Sequence, residues 1–234
     1  MDHAFTRENL LRVQERITAA AEKAGRRSED VTLIAVSKTQ PAEAIRAAYE
    51  AGLRHFGENR VQEWEAKRAG VGELGATWHL VGHLQSNKAA RAAHMFHSVD
   101  SLDDLVLAQR LDRARQEVGV PQKLRVLLEV RVSEEESKSG ARVEEIPRIA
   151  DEVVKLSRLE LAGLMCIPPF LEEPEKVRPY FRLLRELRDS VARQLSRALP
   201  VLSMGMSHDF EVAVEEGATE VRVGTALFGA RAKK

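Results

Sequence analysis

The stretch Val31-Thr-Leu-Ile-Ala-Val-Ser37, followed at once by Lys38 and then by Thr39-Gln-Pro41, decides how the chain is read. The run is short, β-branched and bounded by turn residues, the pattern of a buried parallel strand that empties into a helix starting near Pro41. Lys38 then falls at the strand's carboxyl end, the edge where barrels and open α/β sheets bind their ligands. A lysine partly desolvated there has a depressed pKa, and its free amine can attack a carbonyl and form a Schiff base. The alternative is a strand-end lysine whose stem packs on apolar surface while its ammonium stays in water.

Outward from this stretch the same alternation repeats. Ahead of it, Leu10, Val13, Ile17, Ala20 and Ala21 recur at helical spacing over residues 6–24, with Gly25 as the stop. Beyond it, strands are expected at residues 53–57, 77–82, 95–99, 124–132, 159–167, 201–206 and 220–223, with helices between them. Ser101-Leu-Asp-Asp104 has the spacing of a capping box and would open the helix that Gly119 and Pro121 end. The eight strands alternating with helices, joined by short connections and divided by no Pro/Gly/Ser-rich linker, predict one (β/α)8 barrel domain over residues 1–234 with an extra N-terminal helix. A doubly wound open sheet is the alternative fold.

Composition narrows the function. The 234 residues carry 36 basic and 36 acidic side chains, so no global charge draws the chain to nucleic acid or to an anionic membrane. No stretch approaches the roughly 18 uninterrupted apolar residues of a membrane span, and residues 1–8 lack the apolar core of a signal peptide. The single cysteine, Cys166, allows no internal disulfide. A reducing, cytoplasmic setting is therefore expected. His79, His83, His94 and His97 lack a metal-ligand spacing with thiols or carboxylates, so no metal site is expected.

In barrels of this kind, phosphate sites are often built by the loops after strands seven and eight. Ser203-Met-Gly-Met-Ser207 brings a glycine and two hydroxyls to a helix start, and Gly224-Thr225 supplies a second close-approach backbone and another hydroxyl. Either loop alone also reads as an ordinary tight turn with Ser207 as an N-cap. Asp209 and Glu211 suit an anion site only if they point away from it. By the two-residue period of a strand, Arg222 shares the inner face with Glu220 and Gly224. A buried arginine there needs an acceptor, either a carboxylate such as Glu220 or a ligand atom.

These residues carry a resemblance that covers nearly the whole chain. Val36-Ser-Lys-Thr39, Phe56-Gly-Glu-Asn59, His79-Leu-Val-Gly-His-Leu-Gln-Ser-Asn-Lys88, Glu136-Ser-Lys-Ser-Gly140, Gly163-Leu-Met165, Leu202-Ser-Met-Gly-Met-Ser207 and Val221-Arg-Val-Gly-Thr225 stand in order and at consistent spacing. Together they resemble the pyridoxal 5′-phosphate (PLP) homeostasis proteins, single-domain relatives of the amino-terminal barrel of alanine racemases. The resemblance implies that Lys38 is the Schiff-base lysine, that Ser207, Gly224 and Thr225 hold the phosphate, and that Arg222 faces the pyridine nitrogen. Asn59 and Met165 would line the pocket. With Ser203, Gly205 and Met206 of the first phosphate loop, these residues form the expected cofactor-binding set. A permanently charged arginine at the ring nitrogen leaves that nitrogen unprotonated, which makes the cofactor a poor electron sink. Two positions depart from the family pattern. Arg131 stands where asparagine is usual, and His208 where an acidic or small residue is frequent, placing a titrating group beside the phosphate.

Racemases of the related barrel take a second base from a separate domain and the partner subunit, whereas this sequence ends at Ala232-Lys-Lys234. Two-sided proton transfer needs two positioned acid–base groups. Tyr49 and Tyr180, the two tyrosines, fall in expected helices. The favoured reading is a monomeric, non-catalytic PLP-binding protein that buffers the reactive aldehyde or delivers it to PLP-dependent apo-enzymes, with effects on vitamin B6 and amino-acid balance. A PLP-dependent racemase-like enzyme and a barrel using Lys38 directly on a phosphorylated carbonyl substrate remain as alternatives.

Overall fold

The structure, a computed structural model, describes residues 5–133 and 139–229. Its strands are β1 (Thr32–Val36), β2 (His55–Glu58), β3 (Thr77–Leu80), β4 (Ser98–Leu102), β5 (Leu124–Arg131), the two-residue β6 (Ala141–Arg142), β7 (Leu159–Cys166), β8 (Val201–Ser203) and β9 (Glu220–Val223). Every pairing is parallel. β1 lies between β2 and β9, with Ile34 opposite both His55 and Arg222. The β4–β5 pairing closes the ring, and β6 only flanks the upper end of β5. The barrel expectation holds, and closure overturns the open-sheet alternative, because the ring leaves no sheet edge to solvent.

Eight helices follow the eight barrel strands: α2 (Ala42–Glu50), α3 (Val61–Val71), α4 (Ala89–Met95), α5 (Leu105–Val118), α6 (Ile146–Val153), α7 (Arg178–Gln194), α8 (Phe210–Glu215) and α9 (Thr225–Phe228). Ahead of them, α1 (Arg7–Lys23) is capped by the Thr6 hydroxyl and buries Leu10, Val13, Ile17, Ala20 and Ala21. Each buried Leu, Val or Ile contributes on the order of 1.5–3 kcal/mol. Polar contacts fix where α1 lies. The Arg16 guanidinium bonds Glu211 at 2.6 Å, and the Asn9 amide donates to the Leu227 carbonyl at 3.1 Å. The N-terminal helix thus covers the seam where the last two units close on the first.

The fourth strand, expected at residues 95–99, and the start of its helix both fall later than expected, and the strand expected at 201–206 ends at Ser203. Ser101 does not cap α5; it lies inside β4 and donates to the Gly82 carbonyl at 2.7 Å, while Asp104 accepts the Leu107 amide at the helix start. All five residues of β4 are buried. Burial carried the strand past its polar Asp100-Ser101 pair, and the register shift between Val99 and Leu102 accommodates it.

The barrel interior is layered. At the amino-terminal end, His55 contacts His79 at 3.1 Å, His79 contacts Asp100 at 3.1 Å, and Arg125 bonds Ser98 at 3.0 Å and Glu220 at 2.5 Å. Burial, followed by the charges of His79 and Arg125, pulls the His55 pKa down to about 4. Among the described residues, His79, Asp100 and Glu220 have ligand atoms close enough to hold a metal, but the Arg125 guanidinium already pairs with both carboxylates. Above this ionic floor lies a small apolar layer of Leu127, Ala162 and Met165, packed against Val201. The larger core lies between the strands and the helices, where Trp64 of α3 stacks on Trp78 of β3 with centroids 3.8 Å apart.

Candidate functional site

Above the apolar layer, at the carboxyl ends of the strands, is a cavity of about 470 Å³. That volume falls in the range of small-molecule sites. Lys38, Asn59, Met206, Ser207, Arg222, Gly224 and Thr225 line it, so seven of the ten expected cofactor residues meet there. The other three lie beneath or behind the wall. Met165 does not line the cavity as expected: it is fully buried in the apolar layer, opposite Glu129 and Ser203 in register. Ser203 is buried as well and acts through Arg222. Gly205 is a turn residue with φ +92°, and a Cβ there would come within 2.6 Å of Ala213 Cβ.

The backbone around Lys38 is held on both sides. Ser37 donates to the buried carboxylate of Glu58 at 2.7 Å. Lys67, reaching over from α3, donates to the Ser37 carbonyl at 2.7 Å, to Glu58 at 2.9 Å and to Glu63 at 2.8 Å. Glu63 in turn accepts the amide of Thr39. Thr39 occupies the left-handed region at φ 66°, which a β-branched residue adopts only when its surroundings impose it. This clamp of β2 and α3 residues turns the chain sharply after Lys38 and fixes where its side chain leaves β1. Burial raises the Glu58 pKa against the opposing pull of Lys67.

Arg222 is 4% exposed and makes no ion pair with Glu220, whose carboxylate goes to Arg125. Its acceptors are the Ser203 hydroxyl at 2.7 Å and the Cys166 carbonyl at 2.8 Å. Both are neutral, so among the described residues no carboxylate bonds the guanidinium, and it has donors to spare at the cavity wall. The Cys166 thiol is buried and pushed up to about 12, far from a nucleophile.

The two loops expected to hold phosphate are tied to each other. The Ser207 hydroxyl accepts the amides of Gly224 at 3.3 Å and Ala226 at 3.2 Å. Among the described residues, none accepts from the backbone N–H of Ser207, His208 or Thr225. The acidic neighbours point away: Asp209 accepts the Met206 amide at 2.7 Å and Glu211 pairs with Arg16. A cluster of amides, hydroxyls and a nearby arginine suits an anionic group. The His208 ring packs at a tilt against Phe170 with centroids 4.9 Å apart, and its Nε2 lies within 3.1 Å of the Leu171 and Glu172 carbonyls. It ties the loop after β7 to the loop after β8.

On the far side of the cavity lie Val81, Gly82, His83 and Ser139, which belong to the motifs quoted above, the first of them expected at the mouth after the third strand. Glu129, Ile167 and Phe170, which the sequence reading missed, complete that side. Gly82 passes so near Asn59 that a Cβ would come within 2.4 Å of its carbonyl oxygen. Glu129 is 4% exposed, and one of its carboxylate oxygens is buried without a hydrogen-bond partner among the described residues. Burial, reinforced by Asp103 and opposed by Arg222, raises its pKa to about 7. The signal was present in the alternation of β5, where Arg125, Leu127 and Glu129 share the inner face. Of the Glu136-Ser-Lys-Ser-Gly140 motif, residues 136–138 lie outside the described residues. Tyr49 and Tyr180 sit in α2 and α7, away from the cavity lining.

With that geometry in view, the comparisons with known proteins agree on its class. Residues 9–232 match the family model "Alanine racemase, N-terminal domain". The alanine racemase of Clostridium difficile 630 shares the fold, with a TM-score of 0.73 at 15% identity over 97% of this chain and 58% of that one. Nearer relatives are the pyridoxal phosphate homeostasis proteins of Aquifex aeolicus (48% identical over 96% of this chain and 97% of the relative) and Pseudomonas aeruginosa (49% identical over 96% and 95%). The solved structure of PipY from Synechococcus elongatus, with PLP bound, superposes with a TM-score of 0.81 at 41% identity, covering 93% of this chain and all of that one. The chain belongs to the pyridoxal phosphate homeostasis protein family.

Proposed function

We propose that this protein is a single-domain binding protein for PLP that holds the cofactor as a Schiff base on Lys38, buffering the reactive aldehyde or delivering it to apo-enzymes, with effects on amino-acid balance. The observation that carries the reading is the convergence of Lys38, Arg222 and the tied Ser207–Gly224 loops on one cavity. The residues fit the group: a clamped primary amine for the aldehyde, a charged donor for the ring nitrogen, and open amides for the phosphate. Bound there, PLP would supply an electrophilic carbon and a conjugated ring. Asn59 and Met206 complete the walls.

A holding rather than a catalytic role is supported by the ring-nitrogen partner, because an arginine does not protonate that nitrogen. The protein acts as a cytoplasmic monomer, binding neither nucleic acid nor membrane. No described helix is long and apolar enough to cross a membrane.

The test is the visible spectrum and intact mass of the protein after borohydride reduction, for wild type and Lys38→Ala. The expected result is a reduced PLP adduct that maps to Lys38 and disappears in the variant. No adduct in the presence of added PLP would overturn the reading and turn attention to phosphorylated carbonyl substrates. Fast deuterium exchange at the α-carbon of amino acids would replace the carrier with a racemase-like enzyme.

A further inference from the structure

The cavity has two chemically distinct halves. Around the closed ring, β8, β9, β1 and β2 are consecutive neighbours, and they carry Ser207, Arg222, Lys38 and Asn59. The residues assigned above to the cofactor thus occupy one half. The remaining lining comes from β3, β5 and β7 and their loops: Val81 and His83, Glu129 and Ser139, Ile167 and Phe170. β5 stands four places from β1 in an eight-strand circuit, so Glu129 looks across the mouth toward the strand that ends in Lys38. Among the described residues Glu129 is the one carboxylate lining the cavity, and its buried oxygen, which has no hydrogen-bond partner among them, marks it as a group built for something that is not part of the fold. His83 lines the same cavity and pairs with Asp103 at 3.3 Å. A carboxylate and a histidine above an apolar rim are suited to a cation with a hydrocarbon stem.

We propose that this second half is the docking site for an incoming primary amine, and that Glu129 is the acid–base group that frees it to displace Lys38. The inference rests on the Schiff-base reading of Lys38. An amine arrives as its ammonium ion, which cannot attack. The Glu129 carboxylate would remove one proton, and the nitrogen lone pair would then bond to the carbon held by Lys38. As the bonds from that carbon to the Lys38 nitrogen break, the two protons left on the incoming nitrogen would pass to the Lys38 nitrogen, and the proton on Glu129 would complete the departing Lys38 ammonium. One carbon–nitrogen link is exchanged for another, with no change in oxidation level and no further reactant. The cofactor leaves on the amine that collected it.

Glu129 is placed to exchange protons near neutrality. Burial lifts its pKa to about 7, Asp103 reinforces the shift, and Arg222 opposes it. Among the described residues, Cys166, whose own pKa is raised, and Asp103, paired with His83, are the other titratable groups that interact with it, and Lys38 and His208 line the same cavity. An efficient general base has a pKa near the working pH. Release by an amine is therefore expected to quicken as pH rises through about 7, where Glu129 becomes a carboxylate.

The experiment uses the PLP-loaded protein, wild type and Glu129→Gln, mixed with methylamine or alanine while the loss of the Lys38-linked visible band is timed across pH 5–9. Both proteins are expected to load equally, as judged by the reduced adduct mass. Exchange in the variant is expected to fall on the order of 10²-fold and to lose its rise near neutrality. Infrared titration of the cofactor-free proteins gives a second readout: a buried carboxyl band that disappears as pH rises in wild type and is missing from the variant. Equal exchange rates with the same pH profile would overturn this inference and leave the Lys38 reading standing. Failure of the variant alone to load would overturn it by assigning Glu129 to cofactor holding. Failure of both to load would remove the Lys38 reading and this inference together.

Discussion

Lys67 and Glu58 form a buried ion pair, Nζ to Oε1 at 2.9 Å, directly behind the residue that carries the amine of the site. Glu58 is fully buried and Lys67 nearly so, and the same ammonium bonds the Ser37 carbonyl. The pair joins β2 and α3 to the end of β1. It holds the turn that presents Lys38.

Removing one partner of such a pair strands the other charge. Lys67→Met is expected to cost about 3–5 kcal/mol in urea unfolding, because Glu58 is left buried without its counter-ion. The double variant Glu58→Gln/Lys67→Met is expected to recover most of the loss. A double-mutant cycle with no coupling between the sites would contradict the clamp.

Ser207 joins two loops through one hydroxyl. Ser207→Ala is expected to free the Gly224 and Ala226 amides from their acceptor and to weaken PLP binding by about tenfold, roughly 1.4 kcal/mol. Titration followed by the visible band measures it. Lys38 remains reactive in this variant, so the reduced adduct still forms at saturating PLP.

Glu129 makes stability depend on pH in an uncommon direction. Its folded pKa of about 7 lies above the ordinary value of 4.5, so between those limits the folded state binds more protons than the unfolded one. Its contribution is fully present below about 4.5 and is lost as pH rises to about 7, up to roughly 3 kcal/mol. Denaturant midpoints of wild type and Glu129→Gln are expected to separate over that window, the variant being relatively more stable at pH 8.

His55 acts in the opposite sense. Its folded pKa of about 4 lies below the ordinary 6.5, so its contribution is present above 6.5 and is lost as pH falls toward 4. The two windows overlap, and in wild type the slopes offset each other. Glu129→Gln is expected to unmask a loss of stability below pH 6.5 that His55→Asn abolishes, measured by thermal melts at fixed ionic strength.

The fold was legible because each strand of the barrel is a short apolar run between turn residues, and because the helix after Lys38 begins at a proline. What escaped was set by tertiary burial. β4 extends through Asp100 and Ser101 because the floor network and the Gly82 carbonyl satisfy those polar groups. Lys38 and the loops at Ser207 and Gly224 were legible because they sit at strand ends. Glu129 was hidden in a strand whose apolar residues read as core, and only ring closure places it opposite β1. Arg222 was read correctly as inward, but its acceptors are a hydroxyl and a carbonyl that no charge pattern announces.

The thin layer of Leu127, Ala162 and Met165 separates two polar ends of one barrel. Each end is free to change with little penalty to the other, since effects at sites sharing no partners add. The mouth can drift toward new ligands while the ionic floor keeps the ring shut. That insulation is what lets a barrel this small serve as a chassis.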